Sequence, residues 1–272
     1  MAKVGTHIRL ETNIIDVIQK AIRLNLPHFQ TFAASDTGAN LKFSPAEVTE
    51  FIQLRRKHFQ NLYLHSSYWV NLARENPRSY STFLRELHIA EQLEFTHFII
   101  HPGAANPAHD TQQSLRILAN NLNKAVQTYP NITLLLENTA HGGHNIGSDI
   151  KNFQLLIPML KFPEKIKFCI DTSHAHAYGY DLINADSRDK FIELLEKTIS
   201  IAKIDLIHLN DTHEKLGSKI DRHLVPGEGQ IGSAALQAFI QHPSLKEIPI
   251  ILELPKIEEG DEIEIVTEIS TW

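Results

Sequence analysis

Residues 166–181 read IKFCIDTSHAHAYGYD, and the first nine of them decide the fold. A short, mostly apolar run stops at an acid, Asp171, and a histidine, His174, follows three residues later. The interior of a sheet has no use for an acid and an imidazole at the end of a strand. The same pattern recurs along the chain. Strand-like runs occupy Val4–Ile8, His28–Phe32, Leu62–His65, Phe98–His101, Ile132–Glu137, Ile166–Asp171, Ile204–Leu209 and Pro249–Glu253. Six of the eight lead into His65, His101, Glu137, Asp171 with His174, His208 followed by Asp221 and His223, and Glu253.

Segments of helical period lie between the runs. Ile14, Ile15, Ile18, Ala21 and Ile22 share one face. Ser44-Pro45-Ala46-Glu47 carries the cap, first-turn proline and third-position glutamate of a helix start. Asp110 is placed to cap a helix that buries Leu115, Ile117, Leu118, Leu122 and Val126. Phe191, Leu194, Leu195, Ile199 and Ala202 form another stripe, and a short last helix is expected from about Asp261. Eight strand–helix alternations on 272 residues point to an α/β fold, a (β/α)8 TIM barrel, rather than a doubly wound sheet. No linker or repeat interrupts it, so residues 1–272 are read as a single (β/α)8 catalytic domain.

Composition narrows the class. Hydrophobic residues make up 42% and charged ones 21%, as in ordinary soluble proteins. No apolar run reaches the ~20 residues of a membrane span, and the start, MAKVGTHIRL, lacks a secretory signal. A cytoplasmic location without membrane contact is expected. Cys169, the one cysteine, has no internal disulfide partner and reads as a small buried hydrophobe. The formal charge of −6 argues by itself against a nucleic-acid binder, but three divalent cations would add six positive charges at one end of the molecule.

In a (β/α)8 barrel the loops after the strands form the active face, and all nine acids and imidazoles fall there. Each has a bland reading: a histidine at a strand end is commonly a hydrogen-bonded polar group, Asp171 could cap a helix, and Glu253 could pair with an arginine. Nine such coincidences on one face are harder to accept than one metal cluster. Imidazole with carboxylate suits Zn, Mn or Fe, and the lack of thiolate ligands argues against a purely structural zinc site. Nine ligands, with one carboxylate shared, suffice for three ions. The glycines of GEGQIG (227–232) would let backbone approach a ligand closely. His141, His144, His176 and His213 are read as solvated or supporting, and His7 as facing the same end of the barrel.

These motifs are similar to those of endonuclease IV, the second family of apurinic/apyrimidinic (AP) endonucleases. The resemblance runs through GTHI (5–8), HSSY (65–68), HPG (101–103), LENTA (136–140), DTSHAHAYGYD (171–181), HLND (208–211), DRH (221–223), PGEGQIG (226–232) and LELP (252–255). It implies a xylose-isomerase-like barrel with three Zn2+, Mn2+ being an option at one position. His65, His101 and Glu137 would hold the first ion. Glu137 would bridge to a second on Asp171, His208 and Glu253, and His174, Asp221 and His223 would hold the third. The implied activity belongs to base excision DNA repair: hydrolysis 5′ to an abasic site in double-stranded DNA, leaving a 3′-hydroxyl and a 5′-deoxyribose phosphate, with 3′-end phosphodiesterase activity. Glu137 and Glu253 are the candidate catalytic residues. Tyr68 and Trp69 are candidates to wedge into the base stack and Arg222 to meet a phosphate, with Lys42, Lys215 and Lys219 as further backbone contacts. A monomer is expected.

The chain departs from that pattern in places. Ser66 stands where an acid is frequent, AHGGH (140–144) replaces a Gly-rich run, and the loop ASDTGANLKF (34–43) lacks an Arg- and Trp-bearing segment. These changes touch how substrate is gripped, not the ligands. Two rival readings stand beside the nuclease: a sugar isomerase or epimerase on a related barrel, which needs fewer metals, and a silent DNA-binding or scaffold protein, which predicts missing ligands.

Overall fold

The computed structural model describes residues 3–11, 13–32, 42–108 and 110–272. Eight parallel strands close a barrel in sequence order: β1 (Val4–His7), β2 (Phe29–Phe32), β3 (Tyr63–His65), β4 (His97–Ile100), β5 (Thr133–Glu137), β6 (Ile166–Asp171), β7 (Ile204–His208) and β8 (Ile250–Leu252). The barrel expected from the sequence is what forms, each apolar run becoming one strand with bounds shifted by no more than a residue.

Around it lie α1 (Ile14–Arg23), α2 (Pro45–His58), α3 (Pro77–Gln92), α4 (Thr111–Thr128), α5 (Lys151–Leu156), α6 (Thr172–Tyr178), α7 (Ala185–Ile199), α8 (Ser233–Ile240) and α9 (Glu259–Ser270). Their starts follow local chemistry. Ser44 and Glu47 form the reciprocal capping box at α2, and Asp110 accepts from the Gln113 amide at α4. The sequence reading did not single out α3, although Asn76 caps it and Pro77 opens it. Helix α9 starts at Glu259, two residues before the expected point. Ala202 is not part of the α7 stripe: Ser200, at φ +62°, ends that helix and leaves Ala202 exposed.

The period of two along a strand explains why the site sits where it does. Tyr63, Ile99, Leu135, Cys169, Leu206 and Ile251 form one buried layer inside the barrel. Two residues further along the same six strands come His65, His101, Glu137, Asp171, His208 and Glu253. The apolar layer therefore floors a polar layer at the C-terminal mouth. The opposite faces of the strands pack on the helices, burying residues such as Phe29, Leu64, Phe98, Leu134 and Phe168.

Candidate metal centre

Each of the nine singled-out acids and imidazoles lies at that mouth, and they approach one another as three overlapping groups. In the first, His65 Nε2 and His101 Nε2 stand 3.0 and 3.2 Å from Glu137 Oε2. In the second, His208 Nδ1 lies 3.1 Å from Glu137 Oε1, 3.4 Å from Glu253 Oε2 and 3.9 Å from Asp171 Oδ2. In the third, Asp221 Oδ1 lies 3.1 Å from His174 Nε2 and 3.3 Å from His223 Nε2, and the two ring nitrogens are 3.2 Å apart. Asp171 Oδ2 also approaches His223 Nε2 at 3.7 Å, so this acid stands between the second and third groups. Glu137, fully buried, turns one oxygen to each of two groups.

Hydrogen bonds on the far side of the rings show what these contacts can accommodate. His65 Nδ1 donates to the Ser66 carbonyl (2.8 Å) and His174 Nδ1 to the Asn138 carbonyl (2.8 Å). A carbonyl only accepts, so those nitrogens carry the proton, and in a neutral ring Nε2 keeps a bare lone pair aimed at a carboxylate. Lone pair against anion is repulsive unless a cation stands between them. Donors ~2.0–2.1 Å from a shared ion at tetrahedral angles stand ~3.3 Å apart, which is the spacing found. Imidazoles whose second nitrogen is tied to a carbonyl are the usual design of metal ligands. The donor set therefore fits divalent cations.

Electrostatics agrees. Burial, the largest single influence, pulls His174 and His208 down. The neighbours together outweigh it: Asp171, Asp221 and Glu137 around His174, and Cys169, Glu253 and Glu137 around His208 lift both well above the ordinary imidazole value. His223 is raised in the same way. Glu137 and Asp221 lie well below the carboxylate range despite burial, through His208 and His101 and through His174 and His223 respectively. Glu253 is held at about 2, burial being outweighed by His208 and His223. The pocket is a sink for positive charge.

Supporting residues that the sequence reading missed frame the cluster. Asn138 donates to the Asp171 carbonyl at 3.0 Å and accepts from its amide at 2.7 Å. Asn210 donates to Asp171 Oδ2 (2.6 Å) and Glu253 Oε2 (3.1 Å). Their signal was position: each follows a ligand by one or two residues in LENTA and HLND. The bland reading of Asp171 is also half right, since Oδ1 caps α6 through the His174 amide at 2.7 Å while Oδ2 faces the cluster. Glu253 pairs with no arginine; its partners among the described residues are Gln30, Asn210 and the histidines.

The glycine loop is a correction. The amides of Gly227, Gly229, Ile231 and Gly232 all donate to Asp211, at 3.0–3.1 Å. The backbone does approach an anion closely, but that anion is the protein's own buried carboxylate, which clamps the loop behind DRH.

The remaining candidates scatter. Tyr68 and Trp69 are 74% and 78% exposed on the rim, and the loop that carries them is tied down by the buried Glu86, which accepts from the Ser67 amide at 3.1 Å. Tyr68 lines a cleft of ≈ 520 Å³ beside the cluster, with Arg9, Phe32 and Arg222. Arg222 is 73% exposed and pairs with Glu214 at 3.2 Å. Lys219 folds back over the Tyr178 ring and bonds its carbonyl, so it is not presented to a ligand. Lys42, Lys215, His141, His144 and His213 are exposed, and His176 is buried beneath the 211–217 loop. Residues 34–41 of the loop after β2 lie outside the described residues.

Comparison with known proteins gives a consistent result. A family profile described as xylose isomerase-like TIM barrel matches residues 18–269. A protein named "Probable endonuclease 4" from Thermosipho melanesiensis is 31% identical over 263 residues, covering 94% of this chain and 93% of its own. Another of that name from Chlorobium phaeovibrioides is 30% identical, covering 98% and 99%. Among solved structures, endonuclease IV from Thermus thermophilus superposes with a TM-score of 0.85 at 27% identity over 99% of both chains.

Proposed function

The chain belongs to the endonuclease IV family, and from that premise we propose that it cleaves double-stranded DNA on the 5′ side of abasic sites. The products would be a 3′-hydroxyl and a 5′-deoxyribose phosphate, and blocked 3′ ends would be trimmed by the same site. The observation that carries the proposal is Glu137: one buried carboxylate whose two oxygens each meet imidazoles from different strands.

His65, His101 and Glu137 would hold one ion, Glu137, Asp171, His208 and Glu253 a second, and His174, Asp221 and His223 a third. Zn2+ suits this donor set, with Mn2+ an option at one position. Bound there, the ions lower the pKa of water and offset the charge of the scissile phosphodiester. The protein's own part is placement. Glu137 sets the spacing of two groups, and Glu253, its other oxygen held by Gln30, turns Oε2 inward where it can orient the attacking water. Tyr68 and Trp69 would enter the stack beside the lesion, where a missing base makes bending and flipping cost less. Arg222 and Arg9, both on the cleft, would meet backbone phosphates. A monomeric cytoplasmic enzyme, built as one unit over residues 1–272, completes the reading.

A duplex with one synthetic abasic site tests it, with an undamaged duplex and a set of aldose and ketose sugars as controls. Incision confined to the abasic strand is expected. Sugar isomerisation without incision would move the chain to the rival chemistry on the same barrel.

A further inference from the structure

Gln30 sits fully buried on β2, is not an acid or an imidazole, and touches three members of the site. Its Oε1 lies 2.8 Å from His208 Nε2. Its Nε2 lies 2.8 Å from Glu253 Oε1 and 2.9 Å from His7 Nδ1. The chemistry of these four groups allows one proton arrangement. Glu253 is an ionised carboxylate and only accepts, so the amide must turn its nitrogen to it. The amide oxygen then faces His208 and only accepts, which places a proton on His208 Nε2. The second amide hydrogen faces His7 Nδ1, which must accept, so a neutral His7 carries its proton on Nε2. A doubly protonated ring would have no lone pair on Nδ1 to take that hydrogen, so the same contact requires a neutral His7.

Two consequences follow. His208 is left with Nδ1 toward Glu137, Glu253 and Asp171. His7 is left with an N–H that has no partner among the described residues, although the side chain is only 7% exposed and lines the cleft. A buried donor without an acceptor carries a desolvation cost, and a ligand oxygen relieves it.

We propose that Gln30 is a positioning residue whose single amide fixes the proton of two histidines, so that His208 offers Nδ1 to a cation and His7 keeps Nε2–H for an oxygen of the bound phosphodiester. This rests on the metal-dependent reading of the site.

The test uses the full chain labelled with 15N-histidine and loaded with 113Cd, which couples to the nitrogen that binds it. Coupling to His208 Nδ1, and a neutral His7 protonated on Nε2, are expected. Coupling to His208 Nε2, or a proton on His7 Nδ1, overturns the proposal. A duplex with a stable abasic analogue should shift the His7 Nε2–H resonance, and an unmoved resonance rules out the donor role. In parallel, Gln30→Leu should weaken zinc binding by roughly 10–100-fold, the usual cost of removing a ligand's orienting partner; wild-type affinity in a folded Gln30→Leu chain overturns the positioning role. If the wild-type chain takes up no metal, the function assigned above fails separately, and the metal-free spectrum still decides the His7 tautomer.

Discussion

At the scale of single residues, Glu137 is the side chain on which two groups converge: one oxygen meets His65 and His101, the other His208. Because it serves two of the three groups, Glu137→Ala should lower abasic-site incision by ~10³-fold or more, with a measurable loss of bound zinc; near-normal turnover would contradict the bridging role. Gly229 is the structural counterpart. A Cβ there would meet Asp211 Oδ1 at 2.3 Å and the Thr212 carbonyl oxygen at 2.5 Å. Gly229→Ala should therefore destabilise the chain by about 2–4 kcal/mol, read as a shift in urea midpoint at unchanged slope. The nine acids and imidazoles were visible in the sequence because chemistry of that kind is anomalous at the end of an apolar run. Gln30, Asn138 and Asn210 were not, because an amide inside a strand or beside a ligand looks like any polar residue until its partners are known. The glycine loop misled for a related reason: Gly227, Gly229 and Gly232 signal close approach, but not to whom, and Asp211, sixteen residues or more upstream, is the answer.

Among elements, the loop between β3 and α3 stands out for what it exposes. Two large aromatics remain at the rim of a charged cleft, where solvent gives them no favourable environment. Trp69→Ala should weaken binding to a damaged duplex by about 1–3 kcal/mol, the range found when a base loses an aromatic partner, with zinc content unchanged; equal affinity would leave the pair as rim packing. The strands were legible because each apolar run is short and six of the eight lead into an acid or an imidazole, which the period of two places inside the barrel. Helix α3 was as legible as its neighbours, with Asn76-Pro77 at its start and Tyr80, Phe83, Leu84, Leu87 and Ala90 on one face, and the sequence reading passed over it. Its Glu86 matters for what it holds, the Ser67 amide, and a long-range contact of that kind has no local sequence signature.

At the scale of the whole molecule, metal and charge are coupled. The metal-free chain stores protons where ions would sit. Burial lowers His174, His208 and His223, but their carboxylate neighbours outweigh it and raise all three. Raised folded-state values mean that their contribution to stability is fully present below the unfolded value of about 6.5 and is lost as pH rises through the folded values. Glu137, Glu253 and Asp221 act in the opposite sense, contributing above the ordinary carboxylate range and losing that contribution only in acid. Calorimetry should show the Tm of the metal-free chain falling as pH rises above the unfolded imidazole value of about 6.5, while the zinc-loaded chain does not follow it; parallel curves would contradict a proton-filled cluster. The formal charge of −6 points the same way. If the loaded ions draw the phosphates in, chelation should reduce affinity for abasic duplex by ~10²-fold or more at moderate salt, measured by fluorescence anisotropy. A chain that binds as well after chelation would place the attraction elsewhere.

The most direct measurement is incision of a synthetic abasic duplex while zinc is returned stepwise to the metal-free chain, with bound metal counted at each step. Activity should rise with occupancy and level off near three ions per chain, with every cut on the 5′ side of the lesion. Full incision by a chain shown to hold no metal, or none at saturating zinc, would contradict a cation-filled centre built on Glu137.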